Sequence, residues 1–270
     1  MRQSASLISR MNSPNIIEQL QSAGCDSPQR EAQMLSEKAA GDETLLFQLV
    51  QRRINREPMS QIMGERGFWA HDFIVTKDVL TPRPDSEVLI EEALKCLPDK
   101  VKKYRFLDLG TGSGCLLLTL LHEYKQASGL GIDQSEAALE VAKRNAAVVD
   151  VQDRVNFQQG NWAYGLTEGF DLVISNPPYI PQTHYDRLMP EVRDYEPKAA
   201  LIGTEDGLGF YREISKQAPD LLSKDGWLIF EVGEGQANEV VAYAEQNGFE
   251  LHNIRKDYGG IERAVVCKKK

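Results

Sequence analysis

The chain has 270 residues, a hydrophobic fraction of 41% and a formal net charge of −9. It is long enough to bury a large core and to hold two domains. Its acidic balance disfavours binding to a phosphate backbone. No apolar run reaches the roughly 18 to 20 residues of a membrane span. Because the N-terminus also lacks a secretion signal, we expect a cytoplasmic protein that binds neither a membrane nor nucleic acid directly. The 4 cysteines and 4 histidines are scattered without metal-ligand spacing, so neither a metal nor a disulfide framework is expected.

The first 60 residues predict a small helical domain. Apolar residues recur at helical spacing over 28–40, and a second helical stretch covers 44–55. Neither stretch carries an obvious chemistry, so this domain either recognises a partner or is a packing appendage.

Residues 61–84 are predicted to connect the helical domain to the rest of the chain. Aromatic and β-branched residues with glycine punctuation over 64–75 favour a β-hairpin. The prolines and acidic residues of 81–87 favour the start of a helix. The main domain is therefore expected to cover 85–270.

A glycine-rich segment lies between a predicted strand, 104–107, and a predicted helix, 115–124. This order is typical of a nucleotide-binding turn, because glycines let the backbone approach the ligand and a helix N-terminus favours an anionic group. The glycines fall as G-x-G-x-G, and Cys115 stands where a dinucleotide fingerprint has Gly or Ala, so the spacing favours S-adenosyl-L-methionine over NAD. The cofactor-binding residues predicted here are Asp108, Gly110, Thr111, Gly112, Ser113 and Gly114.

Two later positions extend the predicted cofactor site. Asp133 ends the predicted strand 127–132, where a carboxylate can accept both ribose hydroxyls, although capping of the following helix is an alternative. After the next predicted strand, Asn161 is placed to bond the adenine edge and Trp162 to pack on the ring. The alternative for Trp162 is a position in the core.

The segment Asn176-Pro177-Pro178-Tyr179 directly follows the apolar run 170–174, which predicts a buried strand. Such a segment suits a planar NH2 group: the Asn176 side-chain oxygen and the Pro177 carbonyl would each accept one N–H, and Tyr179 would stack on the plane. The prolines lack N–H groups and so keep competing donors away. We predict Asn176, Pro177 and Tyr179 as catalytic, all four residues as substrate-binding, and Asn176 as a cofactor contact too. The alternative is a strand that ends in a stiff turn.

The rest of the chain predicts an alternating α/β pattern. Residues 180–209 predict a long loop that forms a substrate-binding wall. The elements predicted after it are helix 208–222, strand 227–232, helix 236–246 and an antiparallel strand pair, 250–256 with 263–268.

Taken together, five segments resemble the HemK/PrmC family of glutamine N5-methyltransferases: Arg66–Trp69, Thr81–Glu87, Asp108–Gly114, Asn176–Tyr179 and Val192–Pro197. The resemblance covers nearly the whole chain and is strongest from residue 64 onward. It implies methyl transfer from S-adenosyl-L-methionine to the glutamine of the Gly-Gly-Gln motif in peptide chain release factors, in support of translation termination. It also implies a seven-stranded, Rossmann-like class I methyltransferase sheet behind a helical N-terminal domain that docks the release factor. One departure is Asn161, where family members often carry an acidic residue; its side-chain oxygen can still accept a hydrogen bond.

Other functions fit parts of the pattern. The same amide-holding logic suits an exocyclic base NH2, so an adenine-N6 methyltransferase acting on DNA or RNA is the alternative enzyme. The acidic charge and the segment 81–87 favour glutamine. A cofactor-binding regulator without catalysis is a third reading, and an NAD oxidoreductase is disfavoured by Cys115.

Overall fold

The computed structural model describes residues 13–167 and 169–270. Its helices are α1 (Ser13–Ser22), α2 (Pro28–Ala39), α3 (Glu43–Ile54), α4 (Met59–Met63), α5 (Glu87–Cys96), α6 (Cys115–Glu123), α7 (Glu136–Val148), α8 (Pro190–Arg193), α9 (Lys198–Leu201), α10 (Gly209–Leu221) and α11 (Ala237–Gln246). Its strands are β1 (Glu65–Phe68), β2 (His71–Ile74), β3 (Arg105–Leu109), β4 (Ser128–Asp133), β5 (Val155–Gln159), β6 (Phe170–Ser175), β7 (Leu222–Glu231), β8 (Phe249–Lys256) and β9 (Glu262–Lys269). Short 3₁₀ helices cover Pro84–Ser86, Gln152–Arg154 and Gln182–Arg187.

The described chain divides into two compact units. The first holds the residues up to Glu65 together with Leu188–Tyr195, and the second holds Arg66–Arg187 with Glu196–Lys270. The domain boundaries expected after residues 60 and 84 stay a prediction.

The first unit is built from α1 to α4 and the segment that includes α8. Buried apolar side chains of α1, α2 and α3 form its core, with Leu20 and Leu35 fully buried. The helices predicted over 28–40 and 44–55 are confirmed as α2 and α3. The Asp42 carboxylate caps α3 by accepting the backbone N–H groups of Thr44 and Leu45, which the first turn leaves without helical partners.

Charged side chains fix residues 188–195 to the helices of the first unit. Glu191 accepts from Arg53 at 3.0 Å and from Arg56 at 2.7 Å. Arg53 is itself buried and pairs with Glu31 at 2.8 Å. The chain thus returns to this unit more than 120 residues after leaving it at Glu65.

The predicted hairpin is confirmed as β1 and β2. Trp69 makes the turn with a φ of +55°. Its backbone N–H donates to the Glu87 carboxylate at 2.8 Å, and its ring N–H donates to Glu123 at 3.0 Å. These bonds tie the turn to α5 and α6.

A seven-stranded sheet in the order β5-β4-β3-β6-β7-β9-β8 forms the second unit. β9 runs antiparallel to β7 and β8, whereas the remaining pairs are parallel. Phe106 and Leu172 face the core beneath α5 and α6, and Leu107 and Val173 face the core beneath α10 and α11. Because helices cover both faces, the central strands are mostly apolar, with Asp108 of β3 as a buried exception, and the predicted α/β class with a closing antiparallel pair is confirmed.

Two predicted elements are wrong in detail. Residues 180–209 are not one long loop, since a 3₁₀ helix, α8 and α9 interrupt them. Pro190 and Pro197 stand at or just before the first positions of these helices, where the missing N–H has no partner to lose. β7 begins at Leu222 and not at Trp227, because Leu222 already pairs with Phe170 ahead of a register irregularity. No helix in the described ranges is both long and apolar enough to cross a membrane.

Candidate active site

The glycine loop is held at the carboxyl end of β3 by the neighbouring strand β4. The backbone N–H groups of Gly110 and Thr111 both donate to the Ile132 carbonyl at 2.9 Å. Gly110, Gly112 and Gly114 have φ values of +76°, +54° and +81°, a region that other residues enter only with strain. The sequence therefore needs glycine here to turn the backbone from β3 into α6.

Asp108 supports this loop from beneath. It is 1% exposed, and its Oδ2 accepts the Thr111 hydroxyl at 2.7 Å. No described group bonds its Oδ1. Burial raises the pKa of Asp108 to about 7, so a second donor at Oδ1 would be needed to favour its charged form strongly.

Asp133, the last residue of β4, accepts a backbone hydrogen bond with each of its two carboxylate oxygens. Oδ2 accepts the Gly112 backbone N–H at 2.9 Å, and Oδ1 accepts that of Ser135 at 2.9 Å. Burial raises the pKa of Asp133, and these backbone donors counteract the rise. The side-chain cap of α7 is Ser135, which accepts the Ala138 N–H at 3.2 Å. Each Asp133 oxygen keeps a further lone pair for another donor.

Trp162 and Asn161 follow β5 at the same edge of the sheet. Trp162 is half-buried, with its ring centroid 4.9 Å from that of Phe210. A methyl group built on Gly110 would lie 3.4 Å from the Trp162 ring, so this ring covers the first glycine of the loop. Asn161 is exposed. Trp162 thus both borders the core beneath α10 and faces the loop.

Two hydrogen bonds and one packed ring hold the segment after β6 in place. Asn176 Nδ2 donates to the Ser86 hydroxyl at 3.4 Å. The Tyr179 carbonyl accepts from Gln236 at 3.1 Å, and its half-buried ring packs against the core beneath α10 and α11. Burial raises the pKa of the Tyr179 phenol, which therefore stays neutral. Pro177 is buried, and its carbonyl oxygen takes no hydrogen bond from the described residues.

One cavity of about 200 Å³ joins the two predicted halves of the site, and it lies within the second unit. Its lining includes Gly110, Thr111, Gly112, Ser113, Asp133, Asn161, Trp162, Asn176 and Pro178. The predicted site residues outside the lining are Asp108, Gly114, Pro177 and Tyr179. The carboxyl ends of β3, β4, β5 and β6 thus bring most of the predicted residues together, as expected where ligands bind at the strand ends of a parallel sheet.

Several cavity residues were not predicted as part of the site. Ser86 lines it between Asn176 and the buried carboxyl of Glu231, to which Ser86 Oγ donates. Arg83 also lines it and pairs with the buried Glu196 at 2.6 Å. Phe210 lines it too and packs against Trp162. Ser86 and Arg83 belong to the distinctive segment 81–87, which could have indicated them, whereas nothing in the sequence marks Phe210 or Glu231.

The described residues contain no cluster of three or more His, Cys, Asp or Glu side chains that could hold a metal ion. The four cysteines are free thiols.

Comparisons with known proteins agree with this geometry. Residues 100–256 match the family model described as a methyltransferase domain. The chain is 40% identical over 268 residues to a release factor glutamine methyltransferase of Rhodospirillum rubrum, covering 93% of this chain and 82% of that protein. It is 44% identical over 218 residues to a protein of the same name from Geobacter sulfurreducens, covering 80% and 75%. Among solved structures it resembles a methyltransferase from Pyrococcus furiosus with a TM-score of 0.52 at 16% identity, covering 75% and 91% of the two chains, a likeness of fold alone.

Proposed function

The chain belongs to the release factor glutamine methyltransferase family, and from this premise we propose that it methylates the side-chain amide nitrogen (N5) of the glutamine in the Gly-Gly-Gln motif of peptide chain release factors. The observation that carries the proposal is that one cavity is lined both by the glycine loop with Asp133 and by Asn176 with Pro178. Such a cavity brings a methyl donor and an amide acceptor within reach of each other.

The residues of the cavity fit S-adenosyl-L-methionine. A methyl group built at Gly112 would meet no atom within 4 Å, so the loop leaves open space in front of its backbone. Asp133 offers acceptors for a ribose diol, and the unpartnered Oδ1 of buried Asp108 offers one for an ammonium, directly or through water. We assign Asn161 to the adenine edge and Trp162 to its face. When bound, this cofactor supplies a methyl group on a sulfonium, which becomes a thioether as the acceptor nitrogen forms the new N–C bond.

The acceptor side must hold an amide whose nitrogen is a poor nucleophile. Its lone pair is conjugated with the carbonyl, and breaking that conjugation fully by twisting costs roughly 18–20 kcal/mol. Asn176 Oδ1 and the Pro177 carbonyl, which lacks a described donor, would each accept one N–H and hold the nitrogen's π face toward the methyl group. Orientation of this kind can lower the barrier by several kcal/mol. The proton leaves the nitrogen after transfer, so no strong base is required.

Recognition of the protein substrate is assigned to the helical first unit. It holds a compact core of its own and a segment, 188–195, that follows soon after Tyr179 in the chain. The net charge of −9 disfavours a nucleic-acid substrate. We place the enzyme in the cytoplasm, where translation terminates.

The test is transfer of labelled methyl from S-adenosyl-L-methionine to purified release factor. Label on the intact factor, and none on a factor whose Gly-Gly-Gln glutamine is changed to alanine, is the expected result. Bare DNA and RNA serve as the second control. Label on nucleic acid and not on the factor would replace this proposal with adenine-N6 methylation.

A further inference from the structure

A buried serine and glutamate lie directly behind the proposed catalytic asparagine. Ser86 and Glu231 are each 2% exposed. Ser86 Oγ donates to Glu231 Oε2, and Asn176 Nδ2 donates to Ser86 Oγ at 3.4 Å. Contact with the Asn176 amide also lowers the pKa of the Glu231 carboxyl. The NH2 end of the asparagine amide therefore donates to a buried hydroxyl whose own proton goes to a buried carboxylate.

This arrangement dictates which end of the Asn176 amide is left for a substrate. A carboxylate only accepts hydrogen bonds, so Glu231 commits the Ser86 proton to itself and leaves the Ser86 oxygen as an acceptor. A donor must then face Ser86, and on Asn176 that donor is Nδ2. Oδ1 remains as the end that can accept an N–H in the cavity.

We propose that Ser86 and Glu231 are positioning residues that lock the Asn176 amide with its oxygen toward the acceptor nitrogen. The inference rests on the proposed function and adds to it the groups that orient the catalytic side chain. A free asparagine amide can turn over and present its NH2, which would face the glutamine NH2 donor to donor. The lock removes this unproductive arrangement before substrate binds, as preorganised sites do.

The surroundings of Glu231 give the lock a pH dependence. Burial raises the pKa of Glu231 to about 7. The other titratable groups that face it are Asp85, Cys115, Tyr179, Tyr211 and Arg263. Of these, Arg263 favours the carboxylate and Asp85 disfavours it. Once protonated, Glu231 can donate to Ser86, whose proton is then free for Asn176 Oδ1. The amide can reverse, so transfer should fall as the pH drops below about 7.

The first test compares single variants in methyl transfer to release factor. Ser86→Ala should lower kcat about 10- to 100-fold, the range seen when a hydrogen bond that orients a metal ligand is removed, and should leave the Kd for S-adenosyl-L-methionine unchanged. Ser86→Thr keeps the hydroxyl and should restore most of kcat. Ser215→Ala is the matched control, since Ser215 is fully buried and its hydroxyl has no described partner. Wild-type kcat in Ser86→Ala, or no rescue by Ser86→Thr, would overturn the proposal.

The second test separates Glu231 from Asp108, whose pKa is also raised to about 7. In Glu231→Gln the fall in kcat below neutral pH should disappear. If kcat depends on pH in this variant as it does in the wild type, the fall comes from Asp108 and the lock is contradicted.

A third readout does not depend on the substrate. The side-chain amide resonance of Asn176, assigned by its loss in Asn176→Ala, should shift with pH in the wild-type protein and stay constant in Glu231→Gln. A resonance that does not titrate in the wild type would overturn the lock even if the enzyme methylates its factor. A titrating resonance with no methylation would instead refute the proposed function alone.

Discussion

At the scale of single residues, two oxygen acceptors of the cavity are assigned to different functions: Asp133 to cofactor binding and Asn176 to methyl transfer. Asp133 accepts the Gly112 N–H of the glycine loop, whereas Asn176 donates to Ser86, which in turn donates to Glu231. The two side chains share no partner. Their substitutions should therefore affect different steps.

We expect Asn176→Ala to lose most methyl transfer while keeping cofactor affinity. Removing one preorganised hydrogen-bonding group at a reacting centre lowers kcat by about 100- to 1000-fold. Asp133→Ala should instead weaken cofactor binding by roughly 10- to 100-fold, since a hydrogen bond to a charged group contributes roughly 1.5–3 kcal/mol. Calorimetric titration with S-adenosyl-L-methionine and single-turnover kinetics measure the two effects. Equal loss of cofactor affinity in both variants would refute this division.

Substitution of Gly110 tests whether the cofactor approaches the backbone of the glycine loop. Gly110→Ala puts a methyl group 3.4 Å from the Trp162 ring at a φ of +76°. Gly248→Ala is the matched control, because Gly248 has a φ of +91° and open space around it. Both should lose roughly 1–2 kcal/mol of stability through left-handed strain. Only Gly110→Ala should weaken cofactor binding, by about tenfold or 1.4 kcal/mol. Equal cofactor affinity in the two variants would show that the ligand does not approach Gly110.

At the scale of elements, the ion pairs of Arg53 join α2, α3 and α8. The Arg53 side chain is 4% exposed, and its two partners are 10% and 12% exposed. A buried pair costs much desolvation, so it adds little over apolar packing, but removing one partner leaves the others buried and unpaired. Removal of one member of this network should therefore destabilise the first unit by more than the intact network stabilises it.

Arg53→Met should destabilise the first unit by about 3–5 kcal/mol. Arg52→Met on the same helix is the control and should cost about 0–1 kcal/mol, because Arg52 is 42% exposed where it pairs with Glu57. Hydrogen exchange of the α2 and α3 amides measures the opening of this unit alone. Equal protection in both variants would mean that the buried network contributes no more than a surface pair.

The same network should make the first unit sensitive to acid. Burial raises the pKa of Glu191, but bonds from Arg56 and Arg53 outweigh it, and its pKa lies below the usual value. A lowered folded-state pKa gives stability that is present above the ordinary glutamate pKa of about 4.3 and is lost as the pH falls through the lower value. Protection of the α2 and α3 amides, relative to their intrinsic exchange rates at each pH, should therefore fall below about pH 4 in the wild type. An Arg56→Met chain that shows the same acid response would exclude this cause, because Arg56 lowers the pKa of Glu191 more than Arg53 does.

Elements and sites differed in how far the sequence could predict them. The hairpin, the glycine loop and the sheet strands carry local signals of periodicity and punctuation, which predict them to within a few residues except at the start of β7. Ser86 and Glu231 are 145 residues apart, and only the fold makes them neighbours. The short helices within 180–209 lack such a signal, because their prolines favour a loop in the sequence although proline also starts helices.

At the scale of the whole molecule, the chain passes through its two units in an unusual order. It leaves the first unit after Glu65, builds the sheet as far as Arg187, returns for residues 188–195 and then completes the sheet. The cavity nevertheless takes its lining residues from the second unit alone. Removal of the first unit up to Glu65 should therefore abolish substrate recognition and spare cofactor binding. It should also loosen residues 188–195, which bind to that unit.

A chain of residues 66–270 should bind S-adenosyl-L-methionine with affinity close to that of the full chain and should not methylate release factor. The helical unit proposed to recognise the factor is missing, whereas the loop, Asp133 and Asn176 keep their partners. Residues 188–195 would lose Arg53 and Arg56, which bind Glu191. The Val192 and Arg193 amides, which donate to the Met189 carbonyl, should then exchange faster than in the full chain, since a single short turn has little stability of its own. If the truncated chain binds cofactor and still methylates the factor at wild-type rates, recognition lies in the second unit and the assignment of the helical unit is wrong.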